Sequence, residues 1–408
     1  MPTMTTRGGK SMGSSGRPLT ILHIAPTPFF SDRGCHMRVR GLILALNRRG
    51  NDNILCTYHH GRDVEGVETV RIRPIRRYTR LEAGPSPYKY LADLLLFVKV
   101  CATIRRRRPD VIHGHLHEGS LIGWAAKWTF FWRRLPLIFD VQGSLVGELE
   151  AHGYFRRLPF LKGPFWLAEW LITRMPDHLV CSSRASMSML RDRFSVPENR
   201  LTLIADGTDG EASVPEETEQ LKKSLGLAPD RPVVIYTGAL LEAKGLNDLC
   251  QLILAAVRDH LDCHFLVVGY PVESLGRFLA AEGISDHCTL TGRVPYEELP
   301  SYLALAQVAI EPKAADSGEA SGKLLNYMAS GLPVVCYDTP NNKEMLADGG
   351  YLAEREQGPR GLLNCLKQAL ASPREARRRG AIAKTRVEKE FSWDVAARCL
   401  DDIYQKVL

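Results

Sequence analysis

The sequence predicts an α/β fold of two doubly wound domains that face each other across a cleft. Short apolar runs typical of buried strands alternate with longer segments that carry the helical spacing of apolar residues. The alternation occurs twice, on either side of a polar connector, and such alternation builds parallel sheets covered by helices on both faces. The length of 408 residues also suits two domains of about 150–200 residues better than one.

The first domain is predicted to cover residues 18–207, after a flexible tail at 1–17 that is rich in Gly, Ser, Thr and Met. Its strands are expected at 19–25, 53–58, 110–113, 137–141, 179–181 and 201–204. Its helices are expected at 34–50, 88–108, 119–132 and 184–194.

The second domain is predicted at 231–390, after a connector at 208–230 that is rich in Glu, Gly, Pro and Lys. Its strands are expected at 233–237, 264–268, 288–291, 308–311 and 333–336. Its helices are expected at 246–260, 274–282, 296–304 and 321–330, and from 361 onward, with a last helix within 391–408. Ligands of such sheets bind beyond the carboxyl ends of the strands, so two facing sheets make a deep cleft.

The net charge is +7, and the excess arginine is concentrated at two places. These clusters are Arg71, Arg73, Arg76, Arg77 and Arg80, and Arg105–Arg108. Such clusters attract nucleic acid, anionic lipid or phosphorylated substrates, although the second cluster can equally end a helix, where cations suit the dipole. No aromatic residues interleave with the arginines as a base-stacking platform requires, so nucleic acid is not an expected partner.

Ten scattered cysteines without a CxxC pair predict reduced thiols in a cytoplasmic protein, and neither a zinc site nor a disulfide framework. No stretch reaches the roughly 20 apolar residues that span a bilayer. The aromatic and basic segments 128–137 and 154–170 fit either a peripheral contact with an anionic membrane or ordinary half-buried helices.

The segment 311–338, EPKAADSGEASGKLLNYMASGLPVVCYD, combines a strand end, a loop of small residues and a helix start. The loop contains Ser317, Gly318, Glu319, Ala320, Ser321 and Gly322. Small residues let a ligand approach the backbone, and free amides at a helix start bind phosphate. Lys323 opposes the positive end of the helix dipole, which a nearby anion would explain; the alternative is a surface lysine at a loop–helix junction.

The stretch KLLNYMASGLPVV, residues 323–335, closely resembles the nucleotide-binding motif of the family-4 retaining glycosyltransferases, which have the GT-B fold. YTGALLEAKGL at 236–246 is similar to the diphosphate-binding loop of that family, and IADGTD at 204–209 to the segment before its interdomain joint. RPDVIHGH at 108–115 and the final FSWDVAARCLDDIYQKVL also resemble family positions, so the resemblance extends over nearly the whole chain.

The resemblance implies two Rossmann-like domains and transfer of a sugar from a nucleoside-diphosphate sugar to a hydroxyl group, with retention and without a metal or other cofactor. The acceptor would be a saccharide or lipid-linked molecule of cell-envelope synthesis. The implied catalytic residues are Glu319, Lys244 and Gln142. The implied donor-binding residues are Gly34, Gly238, Lys244, Gly318, Glu319, Ala320, Ser321, Gly322, Lys323 and Asn326. The last helix would cross back to the first domain.

Three positions depart from the family pattern. Asn326 stands where a ribose-binding glutamate is usual, Ala239 where many members have arginine, and Gln142 where many have a histidine near the reacting sugar. The spacing to Asn326 also makes Gly318 an alternative to Glu319 as the counterpart of the first glutamate of the motif. These departures motivate a second hypothesis, a binding or partner subunit that lost catalysis. An oxidoreductase is not expected, because the loop after the first strand has no GxGxxG.

The acceptor side is expected in the first domain. His113, His115 and His117 alternate, so on an extended strand they would share a face and could ligate a metal. Because no metal is expected and the segment is predicted to bend at Gly114, strand-end histidines that line the cleft are the favoured interpretation. Asp140, Gln142 and Ser144 follow the next strand and are also expected there; for Asp140 the alternative is a turn cap.

Overall fold

The computed structural model describes residues 17–31, 34–79, 81, 86–151, 154–210, 214–314 and 322–408. The chain divides into two units, Met1–Ile204 with Ala396–Leu408, and Ala205–Val395. The tail predicted at 1–17 lies outside the described residues except for Arg17, whose guanidinium donates to Asp110. No described helix is both long and apolar enough to cross a membrane.

The first unit contains a parallel seven-stranded sheet with the order β3-β2-β1-β4-β5-β6-β7. Its strands are β1 Thr20–Ala25, β2 Asp52–Thr57, β3 Glu68–Arg71, β4 Val111–His115, β5 Leu137–Val141, β6 His178–Cys181 and β7 Leu201–Leu203. Its helices are α1 Gly34–Arg48, α2 Pro87–Arg107, α3 Leu116–Thr129, α4 Leu145–Ala151, α5 Tyr154–Arg157, α6 Lys162–Ile172 and α7 Arg184–Asp192.

The second unit contains a parallel six-stranded sheet with the order β10-β9-β8-β11-β12-β13. Its strands are β8 Val233–Thr237, β9 His264–Val268, β10 Cys288–Leu290, β11 Val308–Glu311, β12 Val334–Tyr337 and β13 Gly350–Ala353. Its helices are α8 Pro215–Ser224, α9 Leu246–Arg258, α10 Glu273–Ala281, α11 Leu299–Leu303, α12 Gly322–Ala329, α13 Pro340–Leu346, α14 Gly358–Ala371 and α15 Pro373–Glu390. The last helix, α16 Trp393–Val407, begins in this unit and ends in the first.

The predicted class, α/β with two doubly wound sheets, is confirmed. The central strands are buried over nearly their whole length and mainly apolar because helices cover both of their faces, which explains the apolar runs of the sequence. The strand order reverses at β1 in the first sheet and at β8 in the second, so the carboxyl ends of β1 and β4, and of β8 and β11, flank the switch points where such sheets bind ligands.

One local prediction is wrong. The chain does not bend at Gly114, because β4 continues through it and pairs in register with β5, His115 opposite Asp140. The turn comes at Leu116, which has a φ of 63° and starts α3. His117 therefore leaves the face that His113 and His115 share, and it packs by its edge against Phe139.

Candidate active site

A buried ion pair lies at the carboxyl end of β11. Glu311, the last residue of the strand, is 2% exposed, and the Lys323 ammonium of α12 lies 3.2 Å from its Oε1. Lys323 Nζ also donates to the Tyr236 hydroxyl at 3.3 Å and lies over the Tyr236 ring, 4.4 Å from the centroid. The predicted anion beside Lys323 is thus present as a protein carboxylate. The alternative of a surface lysine is wrong, since its side chain is only 15% exposed.

The loop after β8 is held against the same helix. The Tyr327 hydroxyl of α12 accepts a hydrogen bond from the Thr237 backbone N–H at 2.7 Å, and burial raises the pKa of this tyrosine. Gly238 follows with a φ of 122°, and a Cβ at this position would lie 3.6 Å from Lys323 Cε. The structure therefore brings Gly238 and Lys323, two of the predicted donor-binding residues, close together.

The turn that carries Lys244 packs on the end of β11. Gly245 has a φ of 86°, and a Cβ there would lie 2.5 Å from the Pro312 carbonyl oxygen, one residue after Glu311. Only glycine permits this approach without displacing backbone. Lys244 is half-buried in the preceding turn, Glu242–Lys244. The backbone of this lysine and the start of α12 thus adjoin neighbouring strand ends.

Other predicted donor-binding residues fall in two groups. Gly318, Glu319, Ala320 and Ser321 lie outside the described residues. Gly322 is the first residue of α12, and Asn326 lies one turn further, where its Oδ1 is 3.2 Å from the Tyr296 hydroxyl, the donor of this bond. Gly34 is the first residue of α1, and a Cβ there would meet no described atom within 4 Å.

Asp140 is the centre of a buried network in the first unit. Arg38 Nε donates to both carboxylate oxygens at 2.9 and 3.0 Å, and Arg38 Nη2 lies 2.8 Å from Oδ1. His115 Nδ1 and Gln142 Nε2 reach Oδ2 at 3.0 and 2.9 Å. Burial alone would raise the pKa of Asp140, but Arg38 and His115 outweigh burial and hold it well below its ordinary value. The turn-cap alternative is wrong, because the donors to this carboxylate are the side chains of Arg38, His115 and Gln142.

The network corrects the acceptor-side prediction for three residues. His113, His115 and Asp140 have no exposed surface, so they do not line an acceptor site; they support the strand ends from inside. Gln142 is half-buried at the edge of this network. Its amide nitrogen is engaged by Asp140, which leaves its amide oxygen as the group that it can offer to a ligand.

Ser144 belongs to a second buried carboxylate, Glu169 of α6. The Ser144 hydroxyl donates to Glu169 Oε2 at 3.1 Å, and the backbone N–H groups of Leu145 and Val146 donate to the same carboxylate at 3.0 Å. Burial would raise the pKa of Glu169, but His117 and these donors lower it. Glu169 thereby caps α4 and fixes the segment that follows Gln142.

Sequence reasoning missed Glu311, Tyr236, Arg38 and Glu169. Glu311 had one available signal, a carboxylate at the end of an otherwise apolar strand, which is rarely buried unless it is paired. Arg38 and Asp140 are 102 positions apart, and no local sequence pattern predicts that they pair.

One group of described residues has spacing compatible with a metal ion. His23, His113 and His115 offer ligand atoms within 4.8 Å of one another, and all three are buried. The trio considered from sequence differed, because it contained His117 of α3 instead of His23 of β1.

Two sequence models of known families match the chain. Residues 33–207 match the glycosyl transferase 4-like domain, and residues 231–372 match the glycosyl transferases group 1 model. Together they account for more than three quarters of the 408 residues. The chain is also 24% identical over 326 residues to the alpha-D-kanosaminyltransferase of Streptomyces kanamyceticus, covering 77% of this chain and 82% of that protein.

Solved structures with the same fold cover nearly the whole chain. Sucrose-phosphate synthase from Thermosynechococcus elongatus matches with a TM-score of 0.75 and 19% identity over 95% of this chain and 99% of that one. Anabaena HepE in complex with UDP-glucose matches with a TM-score of 0.71 and 16% identity over 95% and 100%. With family models on both units, the chain belongs to the GT-B glycosyltransferases of the group 1 and 4-like type.

Proposed function

We propose that the protein transfers a sugar from a nucleoside-diphosphate sugar to a hydroxyl acceptor, with retention of the anomeric configuration. The observation that carries the proposal is the group at the carboxyl ends of β8 and β11, where Lys323 is held by Glu311 and Tyr236 beside the Gly238 loop and the start of α12. A cation and helix-start amides at one strand edge suit a diphosphate. The structural likeness to HepE, solved with UDP-glucose, supports this donor class.

Lys323 would act on the leaving group. As the bond between the anomeric carbon and the diphosphate oxygen breaks, negative charge grows on the departing phosphate, and a fixed cation stabilises it more in the transition state than in the ground state. Glu311 and Tyr236 hold the ammonium in place, so little reorganisation is needed. Lys244 is proposed as the second cation on the diphosphate.

Retention is proposed to follow a route on one face of the sugar. The acceptor oxygen forms its bond to the anomeric carbon on the face that the diphosphate leaves, and the acceptor proton passes to a phosphate oxygen. Gln142 would accept a hydrogen bond from a sugar hydroxyl through its amide oxygen, while Asp140 holds the other end of the amide. Glu319 is proposed to bind the hydroxyls of the transferred sugar, and Asn326 the ribose.

An exposed aromatic surface of the first unit supports a lipid-linked acceptor and a peripheral membrane contact. Trp128, Phe131 and Trp132 are 61%, 66% and 64% exposed. Arg133 ties this surface to α2 through a hydrogen bond to the Ile104 carbonyl, next to the exposed arginines that end the helix. Large aromatic side chains beside a basic cluster suit the headgroup layer of an anionic membrane.

The proposal is tested by donor binding and turnover. Thermal shifts with uridine, guanosine and adenosine diphosphates would identify the base, and slow hydrolysis of the matching radiolabelled sugar nucleotide would demonstrate cleavage of the donor. We expect one diphosphate to stabilise the protein and its sugar nucleotide to be hydrolysed. Binding of none of the three would instead support a GT-B partner subunit, the reading favoured by Ala239 and Asn326 at positions where the family has charged residues.

A further inference from the structure

A chain of buried polar side chains crosses four strands of the first sheet. Asn53 Oδ1 lies 3.0 Å from His23 Nε2, His23 Nδ1 lies 3.0 Å from His115 Nε2, and His115 Nδ1 lies 3.0 Å from Asp140 Oδ2. All four side chains are buried. Each contact is of hydrogen-bond length. One of its two atoms must therefore carry a hydrogen and donate it to the other, because otherwise two buried polar atoms would lack a hydrogen bond.

The Asp140 end of the chain fixes the proton on His115. An ionised carboxylate only accepts hydrogen bonds, and Arg38 keeps Asp140 ionised. His115 Nδ1 therefore carries a hydrogen and donates to Asp140. If His115 is neutral, its Nε2 is a bare lone pair that faces His23.

The Asn53 end of the chain fixes the proton on His23. The Gly66 carbonyl accepts from Asn47 Nδ2 at 2.7 Å, which turns Asn47 Oδ1 toward Asn53. Asn53 Nδ2 donates to that oxygen at 2.7 Å, so Asn53 Oδ1 faces His23. An amide oxygen only accepts, so His23 Nε2 carries a hydrogen and a neutral His23 presents a bare lone pair at Nδ1.

We propose that the His23–His115 pair holds one additional proton between Nδ1 of His23 and Nε2 of His115, so that the pair carries one positive charge in the folded protein. Without it, two neutral rings would face each other lone pair to lone pair at 3.0 Å. With it, every contact from Gly66 to Asp140 contains one donor and one acceptor. The charge lies next to the Asp140 carboxylate, which balances it.

A metal ion fits this site less well than a proton. The rings of His23, His113 and His115 are nearly parallel, with interplanar angles of 28°, 15° and 13°. Ring-nitrogen lone pairs lie in the ring planes, so parallel rings do not aim three of them at one point. His23 and His115 meet end to end, and His113 stacks on both with its Nδ1 2.6 Å from the Tyr404 hydroxyl.

The surrounding groups favour placing the charge on His115. Burial, with His115 as the second cause, lowers the pKa of His23 to about 3, and burial also lowers that of His113. The charged and titratable groups that act on the pair are Asp140 of β5, Arg38 of α1 and the stacked His113 of β4. Behind them, Tyr404 of α16 contacts His113 and interacts with Asp401, and Cys181 of β6 interacts with Asp140. Asp140 is the nearest anion among them, and it contacts His115 directly.

The test uses the full chain with ¹⁵N-labelled histidine, and long-range ¹H–¹⁵N spectra record how many protons each ring binds between pH 6 and 9. The wild-type protein is expected to show one buried ring, that of His115, with both nitrogens protonated, while His23 is protonated at Nε2 alone. Asn53→Ala removes the acceptor that fixes His23, so His23 can move its proton to Nδ1 and donate to neutral His115. We expect the apparent pKa of the pair to fall by about one unit, a tenfold loss of proton affinity.

Asn47→Ala gives a second, milder route to the same result. It removes the nearer acceptor of the Asn53 amide nitrogen and leaves only the longer bond to the Asn51 carbonyl, at 3.4 Å, so that Asn53 can turn this nitrogen toward His23 more easily. Asn51→Ala is the matched control, because its side chain contacts Leu19 and Asp401 outside the chain of bonds and should leave the spectrum unchanged. Singly protonated rings throughout the wild-type titration would overturn the proposal, and so would equimolar zinc in the purified protein that a chelator removes with a change in these rings.

Discussion

The substitution Lys323→Met tests two proposed effects of the buried Lys323–Glu311 pair at the end of β11: its contribution to folding stability and its contribution to diphosphate binding. At 3.2 Å the attraction between Lys323 and Glu311 is about 5 kcal/mol at an effective dielectric constant of about 20. Methionine keeps the apolar stem on Tyr236 but removes the ammonium from the buried Glu311 carboxylate, which keeps the Lys313 backbone N–H as a donor at 3.2 Å. We expect the free energy of unfolding in urea to fall by about 3 kcal/mol, near the lower end for a broken buried pair because Lys323 retains some exposure.

The double variant Lys323→Met/Glu311→Gln removes the stranded charge. Its stability should recover most of the loss, because neither remaining side chain is charged. Its affinity for the nucleoside diphosphate should remain about 10- to 100-fold below that of the wild type, since a hydrogen bond to a charged group contributes about 1.5–3 kcal/mol. Titration calorimetry measures this affinity, and circular dichroism during urea unfolding measures the stability.

One outcome would refute the reasoning. Wild-type diphosphate affinity in the double variant would mean that Lys323 only neutralises Glu311 and has no part in binding. Weak binding by the single variant would then come from its lost stability alone. Glu311→Gln by itself should bind the diphosphate more tightly than wild type, because it removes the protein anion that competes for the lysine.

Three further outcomes are expected. Lys244→Ala should weaken diphosphate binding about tenfold with the urea midpoint nearly unchanged, as for a substitution outside the core; equal affinity by calorimetry would remove Lys244 from the site. Phe131→Ser/Trp132→Ser should reduce co-sedimentation with anionic vesicles at low salt while donor hydrolysis persists, and full vesicle binding would contradict the proposed surface. Burial lowers the pKa of His23 to about 3 and of His178 to about 4, so below about pH 6.5 the unfolded state takes up protons that the folded state does not. These two groups therefore contribute their full stabilisation above that pH, and the contribution is lost as the pH falls. A free energy of unfolding that increases as the pH is lowered from 6.5 to 4 would contradict the buried, neutral state.

The fold was predictable because most strands are continuous apolar runs between helical patterns, and β1, β5, β8 and β9 lie within one residue of their expected bounds. The failures have local causes. The edge strand β3, ETVR, has no fully buried position, so it carries no apolar run. The helices between 145 and 172 mix exposed aromatic residues with charged ones, and this blurred their periodicity.

The candidate site was predictable where its residues are consecutive and hidden where they are not. Gly322 and Lys323 follow from loop composition and from an unfavourable charge at a helix start, whereas Gly238 follows from the resemblance of its loop to the diphosphate-binding loop of the family. The partner of Lys323 could not be deduced, because any carboxylate at a strand end would have served equally well. The histidines of β4 illustrate the reverse problem: their spacing placed them on one face, but only the three-dimensional structure revealed that this face is interior.

Gln142 gains a physical meaning from this interior. An amide does not ionise near neutral pH, so the side chain at this position offers its oxygen in one fixed chemical state, provided that its nitrogen is anchored. Asp140 supplies that anchor, and Arg38 and His115 in turn keep Asp140 ionised and immobile. A histidine at position 142 would compete with His115 for the same carboxylate oxygen. The glutamine and the buried network therefore depend on each other. Although Gln142→His introduces the residue that is usual in the family, we expect it to disturb the hydrogen bonds of Asp140.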